Sequence, residues 1–427
     1  MRITDLRLAR TGDTARATAR VTWEETPRPP FDLFFETAGP GAEDFGAEPE
    51  AFFLASVLPA MKNRERRVFV EGTLCPRLAD GVTAAIGLLE DWYGPPRGPV
   101  AIEASEGFRA LTPREPPRAA FFLTGGVDSL HLLHMNRAHY PARHPAHFRD
   151  AISVFGHLCA EGDESPWNDR VRPHLAKIAS KMGLDIVFFR TNVWRLEPDL
   201  AFVAEESLSA SLLSNVHLLR RRWSRVSIAT GRFSGAEVVR GTHPMLDPLY
   251  ATSALDVRHD ANPYKRFQRL AALSATPGAL EDLVVCLAYP DPPALNCGRC
   301  EKCLRTMTQL VALGRLEETP HFPNEVGAEA IRRLSIKPVE AYYWNEILPL
   351  LGARGREDLV AAIRERLAET RRFERWSRDE GWKGRLRKLD RRFLGGRLLE
   401  LRKRMLPAGY PSQNPTTRAK RPSGETS

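Results

Sequence analysis

Polar and apolar residues alternate from Arg16 to Trp23, and Phe31 to Glu36 is rich in aromatic side chains, so both predict strands. Arg66 to Val70 predicts a third. Over Asp80 to Tyr93 the period changes, and Val82, Ile86, Leu89 and Tyr93 fall on one helical face. A stretch dense in proline and glycine follows: Gly94-Pro95-Pro96, Gly98-Pro99, Pro113 and Pro116-Pro117. Proline at that density stops regular structure and marks a boundary or a stiff connector. Residues 1–118 are therefore expected to form a β-rich accessory domain for substrate recognition or dimerisation.

From Ala119 the pattern alternates between short apolar runs and amphipathic stretches. Strands are predicted at Ala119 to Leu123, Ala151 to Gly156, Leu184 to Phe189 and Val226 to Ala229, with helices over Leu130 to Met135 and Asn168 to Met182. Such alternation predicts an α/β fold with a doubly wound parallel sheet, whose ligands lie above the strand C-termini. The expected organisation is a catalytic domain at 119–315, a helical region at 316–406 and a disordered tail at 407–427.

Charge refines this division. The net charge of the 427-residue chain is +9, but Arg371 to Ser427 holds 17 of the 62 basic and 6 of the 53 acidic residues, a net of +11. The remainder is then at −2, so nucleic-acid binding is not a property of the catalytic body. Trp382, Leu386, Leu389 and Phe393, then Leu394, Leu398, Leu401 and Met405, follow helical spacing within the basic segment. Such a helix packs its apolar stripe on the protein, or else offers its basic face to an acidic partner. No apolar run reaches a membrane-spanning length and no secretory signal opens the chain, so a cytoplasmic protein is expected. A homo-oligomer is compatible with the sequence.

Two motifs carry chemistry. Thr124-Gly125-Gly126-Val127-Asp128-Ser129 lies between the Ala119 strand and a helix start. Adjacent glycines let backbone N–H groups approach an anion, and the following helix N-terminus adds a positive dipole end. Thr124 and Ser129 can donate hydroxyl hydrogen bonds to phosphate oxygens, and Asp128 is a candidate Mg²⁺ ligand. The loop lacks the lysine and spacing of a P-loop NTPase and the third glycine of a dinucleotide fold. A plain Gly-Gly turn with a capping side chain would read similarly.

Cys286, Cys297, Cys300 and Cys303 place four of the six cysteines within eighteen residues. Without a secretory signal, that clustering argues for metal rather than disulfides. Four thiolates suit a closed tetrahedral Zn²⁺ site, with an iron–sulfur cluster as the competitor. Closure leaves no position for substrate, so the metal is expected to be structural. Cys75 and Cys159 read as buried small hydrophobes.

The loop resembles the S-G-G-x-D-S loop of the ATP pyrophosphatases, or PP-loop enzymes, which cleave ATP between its α and β phosphates. Together the two motifs resemble those of the 7-cyano-7-deazaguanine synthases and their relatives, over residues 118 to 312. That resemblance implies a PP-loop fold, ATP and Mg²⁺ at Thr124 to Ser129, zinc at the four cysteines, and an arginine (here Arg305) close behind the last of them. The family's adenine-reading backbone at the end of the second strand corresponds by order to Phe155, Gly156 and His157, and Gly231 closes the last predicted strand. The chain opens its loop with Thr124 where the family has serine, and the deazapurine-contacting segment is not recognisable.

A loop-rich stretch after Gly231 holds His243-Pro244, Asp247-Pro248, His259-Asp260 and Lys265-Arg266, as an active-site lid or substrate loop would. Asp247 and Asp260 are the candidate acids there. The expected activity is that of an ATP-dependent, AMP-forming carbon–nitrogen ligase. It would adenylate a carboxylate or amide, which ammonia or a similar nucleophile then attacks, with Asp128, Ser129, Asp247 and Asp260 as candidate catalytic residues. The alternatives are a PP-loop tRNA-thiolating enzyme and a non-catalytic nucleotide-binding module with structural zinc.

Overall fold

The computed structural model describes residues 1–95, 97–157, 166–229, 231, 239–260, 264–286 and 293–377. The chain forms two compact units, Met1–Arg269 and Leu270–Ser427.

The first unit is built on one ten-stranded sheet. Its strands are β1 (Arg2–Thr11), β2 (Thr14–Thr22), β3 (Phe31–Ala38), β4 (Arg67–Val70), β5 (Ala101–Ala104), β6 (Ala119–Phe122), β7 (Phe148–Phe155), β8 (Asp185–Thr191), β9 (Arg225–Ala229) and β10 (Asp256–Asp260). They lie in the order β10-β9-β6-β7-β8-β3-β2-β1-β4-β5. The five strands from β10 to β8 are mutually parallel, and so are β1, β4 and β5, whereas β8, β3, β2 and β1 are joined antiparallel. This is an α/β fold with a mostly parallel sheet.

Burial explains the two halves. Every residue of β6 (Ala-Ala-Phe-Phe) is buried, as a strand covered on both faces must be. Helices α3 (Val127–His139) and α4 (Pro166–Lys181) connect β6 to β7 and β7 to β8. The other face packs into one core with α1 (Pro49–Lys62), α2 (Pro76–Tyr93) and α5 (Leu208–His217), through Ala120, Phe122, Ile152, Val187, Phe189 and Val226. In contrast β3 alternates, with Phe31, Leu33, Phe35 and Thr37 buried and the residues between them more open. Only one of its faces is covered.

The sequence boundary at 118/119 therefore does not divide two sheets. Phe35, Glu36 and Thr37 of β3 pair with Thr191, Arg190 and Phe189 of β8. Thr191 Oγ1 donates to Phe34 O (2.8 Å), and Phe34 N donates to Asn192 Oδ1 (2.8 Å). The N-terminal strands and the strands around the Thr124–Ser129 loop belong to one unit, and the stretch read as a connector contributes strand β5.

Helix α1 is missed by periodicity because it has no polar face: twelve of its residues, Glu50 through Met61, are buried. Its neighbour α2 is amphipathic and matches the predicted helix, beginning earlier at Pro76.

The second unit contains most of α6 (Arg266–Ser274), then α7 (Glu301–Leu313), three short helices (Ala328–Arg332, Ala341–Asn345, Leu348–Ala353) and α8 (Glu357–Ser377). The basic amphipathic segment from Trp382 to Met405 and the tail lie outside the described residues. No helix among the described residues is long and apolar enough to cross a membrane.

Candidate functional site

The chain leaves β6 for β7 and β8 on one side, then returns to place β9 on the other side of β6. The C-terminal end of β6 is thus the point where strand order reverses, the usual ligand crevice of an open α/β sheet. Thr124 to Ser129 sits there. Leu123 N still bonds to Ile152 O of β7 (2.8 Å), so the loop starts from a fixed strand. Gly125 then adopts φ +71°, a left-handed conformation that a side chain resists.

Ser129 closes the loop on itself. Its Oγ donates to Gly126 O (3.1 Å), accepts from Thr124 N (3.2 Å) and lies 3.1 Å from Thr124 Oγ1. The N–H of Gly126 reaches Thr124 Oγ1 (3.4 Å). Helix α3 begins at Val127, and its first-turn amides have no acceptor inside the helix. Gly156 and His157 follow β7 and Gly231 follows β9, so these predicted contacts flank the loop on the two neighbouring strands.

Asp128 is not held as expected for a metal ligand. Its Oδ1 accepts from Arg269 Nη1 (2.7 Å) and its Oδ2 from Arg266 Nη1. Both arginines rise from the start of α6, three residues apart and so on one helix face. They are buried, with side-chain exposures of 8% for Arg266 and 1% for Arg269. A divalent cation at this carboxylate would meet two guanidinium charges, so Asp128 as it stands does not fit a Mg²⁺ site. Nearby His131 is pushed down to about 4 by burial first and by the Arg269 charge second, which keeps it neutral. Sequence reading notes Arg266 but misses Arg269, whose only signal is the Arg-x-x-Arg spacing.

The two other candidate acids point apart. Asp247 is fully buried and accepts from His243 N (3.1 Å) through Oδ1, while Oδ2 lies 2.8 Å from His259 Nδ1. These contacts tie together the residues of its own loop and strand β10. Asp260 follows His259 on β10 and so faces the opposite side of the sheet. There it lines a cavity of about 510 Å³ with Leu132, Met135, Arg225, Ser227 and Arg258. Burial raises its pKa, against a hydrogen bond with the Ser227 side chain. His157 borders a separate, much smaller hole beside Val193 and Glu197, and burial lowers its pKa to about 4.

The four cysteines converge as their spacing predicts. Their sulfurs all lie within 4.8 Å of one another, with Cys286 to Cys300 at 4.0 Å and Cys297 to Cys303 at 3.8 Å. Four thiolates about 2.3 Å from one zinc ion stand about 3.8 Å apart at the corners of a tetrahedron. An iron–sulfur cube lies between its thiolates and needs them farther apart, so the donor set fits a single ion.

Local structure aims each sulfur. Gly298 takes φ +64°, and a Cβ there would come within 2.6 Å of Pro323 Cγ. Cys300 N donates to Cys297 Sγ (3.2 Å), and Cys300 precedes α7, which carries Cys303. Asn296, unremarked in the sequence, accepts from Val285 N (2.9 Å) and Cys286 N (3.2 Å), and donates to Leu283 O (3.1 Å). The other thiols hydrogen-bond to Cys297 and lower its pKa, while their interactions raise those of Cys300 and Cys303. Four thiolates this close repel one another, so holding all four ionised requires a cation.

Arg305 is spent within this unit, on Glu301 (3.3 Å) and over the Tyr343 ring (4.3 Å). Cys75 is the buried small residue expected, its sulfur accepting from Ser253 N (3.3 Å), and Cys159 lies outside the described residues. No protein-family model, curated protein or solved structure matches this chain.

Proposed function

We propose that the chain is an ATP-dependent, AMP-forming enzyme that adenylates a carboxylate or amide oxygen for attack by a nitrogen nucleophile. The observation that carries this reading is the Thr124–Ser129 loop between β6 and α3 at the sheet's switch point, closed by its own hydroxyls. A strand, a glycine turn and a helix N-terminus in that position suit the phosphates of a nucleotide.

The reaction then rests on positioning and charge. The loop and the first turn of α3 hold the β and γ phosphates. The buried guanidiniums of Arg266 and Arg269 lie at this loop and favour the charge that builds on the departing pyrophosphate. The substrate oxygen attacks the α-phosphorus in line, the α–β bridge breaks with release of pyrophosphate, and AMP stays on the substrate, as a mixed anhydride with a carboxylate or as an imidate with an amide that gives up its N–H proton. Ammonia or an amine displaces AMP in the second step. Zinc at the four cysteines would fix the fold of the second unit and takes no part in either step.

The test is to incubate the chain with ATP, Mg²⁺, ammonium and a panel of carboxylic acids and amides. The expected result is substrate-dependent AMP and pyrophosphate in equal amounts, and substrate-dependent exchange of labelled pyrophosphate into ATP. Release of ADP and phosphate instead would overturn the reading. So would ATP binding without turnover on any acceptor, which would support a non-catalytic nucleotide module.

A further inference from the structure

The cavity of about 510 Å³ that Asp260 lines is walled by α3 and floored by β9 and the edge strand β10. Leu132, Met135, Asn136 and His139 reach it at helical spacing from one face of α3. In the parallel register Asp256 lies beside Arg225 and Arg258 beside Ser227, and alternation puts these four residues and Asp260 on one face. None of Thr124 to Ser129 lines the space. It is apart from that loop, and its volume suits a small molecule.

Its charges stand at two ends. At the exposed end Arg225 Nε and Arg258 Nε both donate to Asp256 Oδ2, at 3.2 and 2.9 Å. Among the described residues neither arginine is paired with a second carboxylate, so one acid answers two guanidiniums. At the other end the Asp260 carboxyl takes a hydrogen bond from the Ser227 side chain. Its Oδ2 is buried without a hydrogen-bond partner among the described residues, which is costly for a carboxylate. Between the ends, Leu132, Met135, Ala146 and Phe148 give an apolar wall. The Asn136 amide in that wall is already bonded to Ala146 O (2.8 Å) and Phe148 N (2.9 Å).

We propose that this cavity binds a small linear zwitterion of the ω-amino acid class, its cationic nitrogen on the Asp260 carboxyl and its carboxylate on Arg225 and Arg258. The spacing sets the length. Along β10 the step from Asp256, where both guanidiniums are held, to Asp260 spans about 13 Å. A hydrogen bond at each end leaves about 7 Å for the ligand. An α-amino acid carries both charges on one carbon and is too short. An amine and a carboxylate joined by about five methylenes fit, with the stem along the apolar wall. Such a ligand supplies the donor that Asp260 lacks and the second anion that the arginine pair lacks, whereas a plain amine or a plain acid supplies only one.

The test is ligand-observed NMR titration of 6-aminohexanoate into the full chain, with hexylamine, hexanoate and alanine as comparisons. The unaltered chain is expected to bind 6-aminohexanoate saturably and each comparison about tenfold more weakly or worse. D260N removes the charge at nearly constant shape and should weaken binding about tenfold or more. R258Q alters an exposed side chain, guards against a folding defect in D260N, and should weaken binding about threefold.

No saturable binding of 6-aminohexanoate, equal binding of any comparison, or unchanged affinity in D260N overturns this inference. None of these results bears on the Thr124–Ser129 loop, whose own test is made with ATP.

Discussion

Asn296 holds the backbone N–H of Cys286 at 3.2 Å, so a residue beside the second cysteine fixes the position of the first. The two residues are ten positions apart in the chain, and the amide side chain closes that gap. Asn296→Ala should keep the four sulfurs but loosen their placement. Loss of such an outer contact typically costs 10–100-fold in metal affinity. The expected outcome is full zinc content after purification and release to a competing chelator about tenfold faster, read with a zinc-sensitive dye.

The metal itself should be one zinc per chain with no acid-labile sulfide, measured by elemental and sulfide analysis. The sulfur separations of 3.8 and 4.0 Å carry this expectation. Cys303→Ser should lose most of the zinc and expose the second unit to proteolysis, because structural zinc contributes on the order of 10 kcal/mol to such folds. Iron with labile sulfide would instead revive the thiolation reading.

Gly298→Ala should destabilise the cysteine knuckle. The position combines φ +64° with a Cβ contact of 2.6 Å to the Pro323 ring. Left-handed strain alone costs about 1–3 kcal/mol, and the ring must also move. Denaturant unfolding with zinc bound should show a lower midpoint for the second unit.

Stability should fall as the pH drops from about 6.5 toward 4. His217 is fully buried, with Nε2 on Tyr250 O (3.0 Å) and Nδ1 without a hydrogen-bond partner among the described residues, and burial lowers its pKa to about 4. Below about pH 6.5 the unfolded imidazole takes up a proton that the native ring refuses until about pH 4. The unfolded state is favoured across that window, by about 3 kcal/mol at its lower end. Below it both states are protonated and the difference stays constant. His217→Gln should flatten the profile in thermal melts at several pH values.

Ser129→Ala should disable the loop more than its size suggests. The hydroxyl bridges Thr124 and Gly126, so its loss leaves the turn without the contacts that set its shape. Pyrophosphate exchange should drop about 10–100-fold with little change in melting temperature, since a 1 Å misplacement can cost that much.

The loop and the cysteine cluster were legible because each is a short, contiguous pattern whose residues act on their immediate neighbours. The strands from β6 to β9 were legible for the same reason, as apolar runs between turns. What escaped reading is non-local. The pairing of β3 with β8 joins residues more than 150 positions apart, and nothing in either strand announces its partner. The Asp128 clamp comes from Arg266 and Arg269, which lie 138 and 141 positions further along the chain. Helix α1 has no polar face, so its period is invisible. Asp247 looked like a free acid because sequence cannot show that His243 and His259 consume both its oxygens.

The β3–β8 ladder also bears on how the chain can be cut. A fragment that begins at Ala119 would strip Phe35, Glu36 and Thr37 from the flank of β8 and leave its Phe189, Arg190 and Thr191 backbone groups without partners. A bare strand edge is a template on which other copies can add. The amino-terminal strands therefore act as a permanent edge guard for the half that carries Thr124–Ser129, and the proline-rich segment that looks like the natural place to divide the protein is the wrong place to divide it.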